Sequence, residues 1–423
     1  MYIWLVNSAE GTPLDSGSVR LRRNAILAQM LRDSGHEVLW WNADFFHATK
    51  QHRFGCDHTS VIDPGYTIRF LHGPGYQSHI SFARVQDHRI IAQKFLKEAE
   101  QAKKPDVILC ACPTLDLSLA SVCYGQKHHV PVVLDIRDIW PDAIIDHAPK
   151  FLRPLGPLLL WPYKTMAKKA CQGAFALTGN TPKFVEWGLK KASRPATEFD
   201  IDFPFGYQEL VLSESDIVEL DDFWRSKNLP MEHDRFVVTY IGTIGRNFQD
   251  EIIVEAANEV CKSHHATFIF CGGGDRLDIL RQKYADNPNI ILPGWVNAAQ
   301  VWRLMHHTHI ALSAYQESDN YRSSLTNKTI EYMASGLPIL FSIDDGYVAN
   351  LIRDNQLGVT YGGSPKRLAE SIIKLITDQD YRRTLASNAR SLFLQKYQSQ
   401  MVYSQMVKYL EKVSFSYKSQ NQQ

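Results

Sequence analysis

The sequence predicts an α/β protein of two Rossmann-like, doubly wound parallel-sheet domains, on three observations. Short apolar strands alternate with amphipathic helices along most of the chain, the pattern of parallel sheets covered on both faces. The alternation blurs at 192–232 and restarts sharply at Phe236–Ile241. The 423 residues, 44% of them hydrophobic, exceed one ordinary core and suit two.

The elements follow in order. Tyr2–Val6 is an apolar strand, residues 7–18 carry loop chemistry, and Val19–Arg32 has helical spacing that Ser34-Gly35 stops. Glu37–Trp41 is the next strand, followed by a helix over Gln93–Lys103 and a strand over Val107–Cys112. A helix over Leu115–Gln126, a strand over Val130–Asp135, a helix at 162–172 and a strand over Ala174–Thr178 complete a domain at 1–200. The second domain, 201–399, opens on Phe236–Ile241 and continues with helices at 249–263, 275–285, 298–306 and 327–335. Its further strands are Thr267–Cys271, Asn289–Leu292, Ile310–Ser313 and Pro338–Phe341. Val402, Met406, Leu410 and Val413 repeat at helical spacing, so a helix at about 400–415 is expected to return to the first domain.

Composition excludes several classes. Net charge is +1, too small for a nucleic-acid-binding field, although the first 200 residues are basic and the rest acidic. The seven cysteines form no C-x-x-C and read as small core residues of a reduced protein. The start is a strand with no basic n-region, and no stretch of ~18 apolar residues could span a membrane. P-loop, H-E-x-x-H and G-x-S-x-G motifs are missing. His306, His307 and His309 lack an acidic partner at ligand spacing and are expected at the surface. Asp200-Ile201-Asp202 falls between the domains and is set aside as a metal motif, so no metal and no cofactor are expected.

Ligands of doubly wound sheets bind beyond the carboxyl ends of strands, so the loops there carry the candidates. Ser16-Gly17-Ser18, before Arg20, Arg22 and Arg23, offers small residues at a helix start where N–H groups meet phosphate. An ordinary serine cap reads the same residues equally simply. Asp135-Ile136-Arg137-Asp138-Ile139-Trp140-Pro141-Asp142 suits polyol recognition, or an Asp–Arg pair closing a loop. Gly242-Thr243-Ile244-Gly245-Arg246 and Gly272-Gly273-Gly274 allow close approach of a phosphate, or of a neighbouring backbone. In Ser323-Ser324-Leu325-Thr326-Asn327-Lys328-Thr329-Ile330-Glu331, Lys328 and Glu331 share a helix face near its start. That face suits a diphosphate and a ribose diol, or a plain exposed ion pair.

Taken in order, these blocks resemble the family 4 glycosyltransferases, most specifically through Asn327-Lys328-Thr329-Ile330-Glu331-Tyr332-Met333-Ala334-Ser335-Gly336. The likeness is to bacterial members that build O-antigen, capsule or exopolysaccharide. It implies the GT-B fold, two Rossmann-like domains facing a cleft, with the acceptor on the first and the nucleotide sugar on the second. The implied reaction moves a sugar, with retained configuration, from a nucleoside diphosphate (UDP-linked) to a lipid-linked or saccharide acceptor. Its implied donor-binding residues are Gly17, Gly242, Gly245, Gly272, Gly273, Ser324, Leu325, Thr326 and Glu331. Lys328 and Arg246 would stabilise the leaving diphosphate, and Asp138 would contact the acceptor beside Arg137 and Trp140, or act as the catalytic base if the reaction inverts. The family's first motif glutamate falls on Ser323, with Glu317 out of register. An epimerase or hydrolase of the same fold, or a noncatalytic nucleotide-sugar-binding partner subunit, are the alternatives. Residues 147–170 interleave Lys150, Arg153, Lys164, Lys168 and Lys169 with aromatic and aliphatic residues and no acid. They suit a core-packed loop and helix with snorkelling lysines or an anionic membrane surface, and the resemblance implies the membrane, at the inner face of the cell.

Overall fold

The computed structural model describes residues 1–15, 21–78, 81–142, 160–229, 235–245 and 248–421. The chain forms two units, Met1–Pro204 with Gln400–Gln423, and Phe205–Ser399.

Unit 1 contains β1 (Tyr2–Val6), α1 (Arg23–Asp33), β2 (Glu37–Ala43), β3 (Phe45–Phe46), β4 (Gln51–His52), β5 (His58–Asp63) and β6 (Tyr66–Leu71). It continues with α2 (Phe82–Ala99), β7 (Val107–Cys112), α3 (Leu115–His128), β8 (Val132–Ile136), α4 (Trp161–Gly173), β9 (Ala176–Gly179), α5 (Pro182–Ala192) and β10 (Ile201–Asp202). Its eight-stranded sheet runs β10-β9-β8-β7-β1-β2-β6-β5. All six residues of β7 are buried, as a central parallel strand covered on both faces requires. Only β5 runs antiparallel, turning into β6 at Pro64-Gly65, where Gly65 takes φ +83°. This hairpin has no counterpart among the expected elements.

Unit 2 contains α6 (Glu214–Ser226), β11 (Phe236–Ile241), α7 (Asp250–Val260), β12 (Ala266–Cys271), α8 (Leu277–Lys283), β13 (Ile290–Gly294), α9 (Ala298–His307) and β14 (Ile310–Ser313). It ends with α10 (Asp319–Ser323), α11 (Asn327–Ala334), β15 (Ile339–Phe341), α12 (Tyr347–Asp354), β16 (Gly358–Thr360), α13 (Pro365–Thr377) and α14 (Gln379–Lys396). The parallel sheet runs β13-β12-β11-β14-β15-β16, the doubly wound order in which the chain reverses direction between β11 and β14.

The last helix, α15 (Ser399–Asn421), belongs to unit 1 from Gln400 onward. Val402, Tyr403, Met406, Leu410 and Val413 are buried in one cluster with Ile3 and Leu5 of β1, Leu27 of α1, and Val107 and Leu109 of β7. Each such apolar side chain removed from water is worth about 1.5–3 kcal/mol.

Several boundaries move for physical reasons. Helix α1 starts at Arg23 rather than Val19, because Arg22 is extended (φ −118°, ψ −165°). Helix α2 starts at Phe82, where the Ser81 hydroxyl accepts the Arg84 N–H, and ends before Lys103. Cys110, Cys112, Cys171 and Cys271 are core residues, whereas Cys56 and Cys123 are exposed. His307 is not a surface histidine: its ring is partly buried and pairs at 3.4 Å with Asp221, which Arg303 also holds. That acid comes from α6, 86 residues away, so local spacing did not reveal it.

Candidate functional site

The reversal between β11 and β14 leaves their carboxyl ends to diverge, and a cavity of about 410 Å³ opens there. It is lined by Tyr240, Gly242, Thr243, Gly245, Tyr315, Tyr321 and Lys328. Tyr332, from α11, spans the divergence: its hydroxyl accepts the Ile241 N–H at 3.0 Å and donates to the Leu312 carbonyl at 3.1 Å.

One wall is the loop after β11. Gly242 is required by Tyr240, whose phenol would crowd a Cβ at 242 and whose hydroxyl folds back to donate to the Thr243 carbonyl at 3.2 Å. The triple glycine after β12 supports this loop from behind. The Ile244 N–H donates to the Gly273 carbonyl at 2.9 Å. A Cβ on Gly272 would collide with the Gly242 carbonyl oxygen, and one on Gly274 with that of Ile244. Only Gly273 opens on free space. Of the two readings of Gly272, close approach of backbone is the one seen: the Gly242 carbonyl occupies the space its missing side chain leaves.

A second wall is aromatic. Tyr315 and Tyr321 stack with ring centroids 4.5 Å apart and planes 15° from parallel. Burial pushes the Tyr315 and Tyr240 phenols up, so both stay neutral donors at ordinary pH. The third wall is the start of α11. Ser324 and Thr326 are extended, and the Thr326 hydroxyl caps the helix by accepting the Thr329 N–H at 3.3 Å. Leu325 is fully buried and anchors the segment. The first-turn N–H groups of a helix have no partners within it, and its positive dipole end favours anions. Lys328 projects into the cavity, 4.0 Å from Glu331, whose side chain is only 3% exposed. A carboxylate that buried is not one half of an exposed surface pair. Lys328 is the sole charged group among the described lining residues.

Ser323 ends α10, and Glu317 is tied at the surface to Arg322, which also meets Asp319 and Asp345. Arg246 lies outside the described residues, as do Gly17 and the Ser16–Ser18 loop.

The candidates in unit 1 are differently employed. Arg137 donates from Nε to Asp135 at 2.6 Å and from its two terminal nitrogens to Glu10 and Asn24. Asp135 is fully buried and also receives Arg23 at 2.7 and 2.9 Å and the Thr178 hydroxyl at 3.0 Å. Burial opposes ionisation of Asp135, but the two guanidinium groups prevail and hold its pKa at about 2. Arg137 thus brackets the loop, each of its three side-chain nitrogens donating within the protein. Arg23 is likewise withdrawn from the phosphate-facing arginines. Asp138 is half-buried and follows directly on this network in the chain. Trp140 packs on the unit-1 core, with the Arg84 guanidinium 4.7 Å from its ring centroid. Of the expected membrane segment, 147–159 lies outside the described residues. The remainder enters α4, where Trp161 is 66% exposed beside Lys164, Lys168 and Lys169. No helix among the described residues is long and apolar enough to cross a membrane.

Residues 235–378 match the family model described as glycosyl transferases group 1. The capsular polysaccharide biosynthesis glycosyltransferase CapM of Staphylococcus aureus is 22% identical over 184 residues, 41% of this chain and 45% of CapM. The match thus spans less than half of that curated relative. Among solved structures, Anabaena Alr3699/HepE in complex with UDP-glucose superposes with a TM-score of 0.66 at 15% identity, covering 97% of this chain and 100% of that one. WaaG, a glycosyltransferase involved in lipopolysaccharide biosynthesis, gives a TM-score of 0.61 at 17% identity, covering 96% and 99%.

Proposed function

From a chain of the family 4-like GT-B glycosyltransferase type, we propose an enzyme that moves a sugar from a UDP-linked donor to a lipid-linked or saccharide acceptor, with retention. The observation that carries the reading is the cavity at the strand reversal, whose stacked tyrosines suit a flat base and whose lysine and helix start suit a diphosphate. The UDP and UDP-glucose complexes of HepE, a protein of the same fold, support the choice of donor.

In this reading Gly242, Thr243 and Gly245 border the phosphates, and Glu331 accepts hydrogen bonds from the ribose hydroxyls. The N–H groups after Ser324, Leu325 and Thr326 complete the diphosphate seat. Lys328 meets the charge that grows on the leaving diphosphate, the part of the barrier that electrostatic preorganisation lowers most. The leaving diphosphate takes the acceptor proton, so the transfer needs neither a protein base nor a metal. Asp138 and Trp140 are proposed at the acceptor. The likeness to CapM, the shared fold of WaaG and the exposed Trp161 among lysines on α4 support a role in cell-surface polysaccharide synthesis, at the inner face of the membrane through residues 147–170.

A thermal-shift panel of nucleotide sugars tests the donor, since a ligand at 100 times its dissociation constant stabilises by roughly 2.7 kcal/mol. UDP sugars should shift the midpoint, and slow donor hydrolysis without acceptor should yield the sugar with its anomeric configuration kept. Interconversion of the sugar would mark an epimerase, and binding without hydrolysis or transfer a noncatalytic subunit.

A further inference from the structure

A separate cluster of ligating groups sits at the carboxyl edge of the unit-1 sheet. Asp44 follows β2, His72 follows β6, and these neighbouring parallel strands release the two residues side by side. The Asp44 N–H donates to the Leu71 carbonyl at 2.8 Å, and the Arg53 N–H donates to the Asp44 carbonyl at 3.0 Å, which brings in His52 from β4. The Asp44 carboxylate is fully buried, while the His52 and His72 side chains are 30% and 34% exposed.

The arrangement overloads one oxygen. Asp44 Oδ2 faces His52 Nδ1 at 2.9 Å, His72 Nδ1 at 2.8 Å and the Gly55 N–H at 3.2 Å. Asp44 Oδ1 receives the Phe54 N–H, at 2.7 Å. A carboxylate oxygen has two lone pairs, so three N–H donors exceed what it accepts well. A cation removes the conflict, because each imidazole then keeps its proton on Nε2 and turns a lone pair from Nδ1 toward the shared centre.

We propose that Asp44 Oδ2, His52 Nδ1 and His72 Nδ1 bind a divalent cation of the zinc class. The three ligand atoms lie within 4.8 Å of one another. Small rotations bring them to the ~2.0–2.2 Å bonds that zinc makes with nitrogen and carboxylate oxygen. Two imidazoles and one carboxylate are borderline donors, suited to zinc and cobalt rather than to calcium or magnesium. The Phe54 N–H on Oδ1 fixes the carboxylate as an outer-sphere partner. The exposed histidine edges leave the fourth position to water. The ion clips the ends of β2 and β6 to the 51–55 loop. This holding role stands whether or not the donor binds in unit 2.

The test uses the full-length chain, stripped with a chelator and dialysed. Zinc is titrated in competition with a chromophoric chelator, and cobalt is added to a parallel sample for its ligand-field spectrum. One equivalent of zinc, a raised thermal midpoint and cobalt bands of nitrogen–oxygen ligation support the site. His52→Ala and His72→Ala should each weaken zinc by more than about tenfold, a loss that even outer-sphere changes produce. His128→Ala, which pairs with Glu100 on another surface, should bind as wild type. Wild-type protein that takes up no stoichiometric zinc and shows no cobalt bands overturns the proposal. So does undiminished zinc affinity in both His52→Ala and His72→Ala, which would leave only a hydrogen-bonded cluster. If either variant fails to fold, the wild-type cobalt spectrum alone decides.

Discussion

At the end of β8, Arg137 and Asp135 meet at 2.6 Å, with Arg23 on the same carboxylate at 2.7 Å, and both Arg23 and Asp135 are fully buried. At the start of α11, Lys328 stands 4.0 Å from Glu331, its side chain is 30% exposed, and it lines a cavity. Both pairs follow strands of a doubly wound sheet, and in sequence both look like ligand sites. The first spends its charges on the protein, where attraction between buried groups must repay desolvation. The second holds its cation toward a cavity, the arrangement that the proposed diphosphate site needs. Charge type and position after a strand therefore do not separate a structural bracket from a binding site. The geometry of the partners does.

The largest expected effect breaks the first pair. Arg23→Met should cost about 3–5 kcal/mol in denaturant unfolding, because Asp135 keeps a buried charge with half its compensation lost. UDP binding by the folded fraction should persist. Lys328→Ala should do the reverse. We expect turnover to fall about 10²–10³-fold, as removal of one electrostatic stabiliser does elsewhere, with a smaller loss of stability than in Arg23→Met because Lys328 is itself 30% exposed.

The pH profile sharpens the contrast. The pKa of Asp135 is depressed to about 2, below its value in the unfolded chain. The stability it contributes is therefore complete above about pH 4 and lost as pH falls through about 2. Acid unfolding of Arg23→Met followed by circular dichroism should show that pH-dependent increment reduced. The glycine loop gives the smallest pair of effects. Gly272→Ala should cost at least about 1–3 kcal/mol and weaken UDP, because φ is +146° and the Gly242 carbonyl is in the way. Gly273→Ala, facing open space, should stay within about 1 kcal/mol of wild type by thermal melting.

Most of the fold was legible because strand and helix periods are local properties. β7, β11 and β14 were read to the residue, since buried parallel strands are unbroken apolar runs. The β5–β6 hairpin escaped because its edge strand is half-exposed and mixed in polarity. Within the candidate site, Lys328 and Glu331 were legible from their spacing of three. Tyr315 and Tyr321 were not, because they stack only once α10 turns back from β14. Nor was Tyr332, whose hydroxyl reaches a strand 91 residues away. The Arg23–Asp135 pair joins residues 112 apart, and a sequence shows the charges without the pairing. Asp44, His52 and His72 have no ligand-like spacing, and only the adjacency of β2 and β6 assembles them.

The central claim is that the unit-2 cavity holds the donor through the α11 face. Isothermal titration of UDP into wild type and Glu331→Gln, at matched folded fractions, tests it most directly. A hydrogen bond to a charged group is worth about 1.5–3 kcal/mol, so the variant should bind UDP about 10- to 100-fold more weakly. Equal affinity in the two proteins would contradict the account.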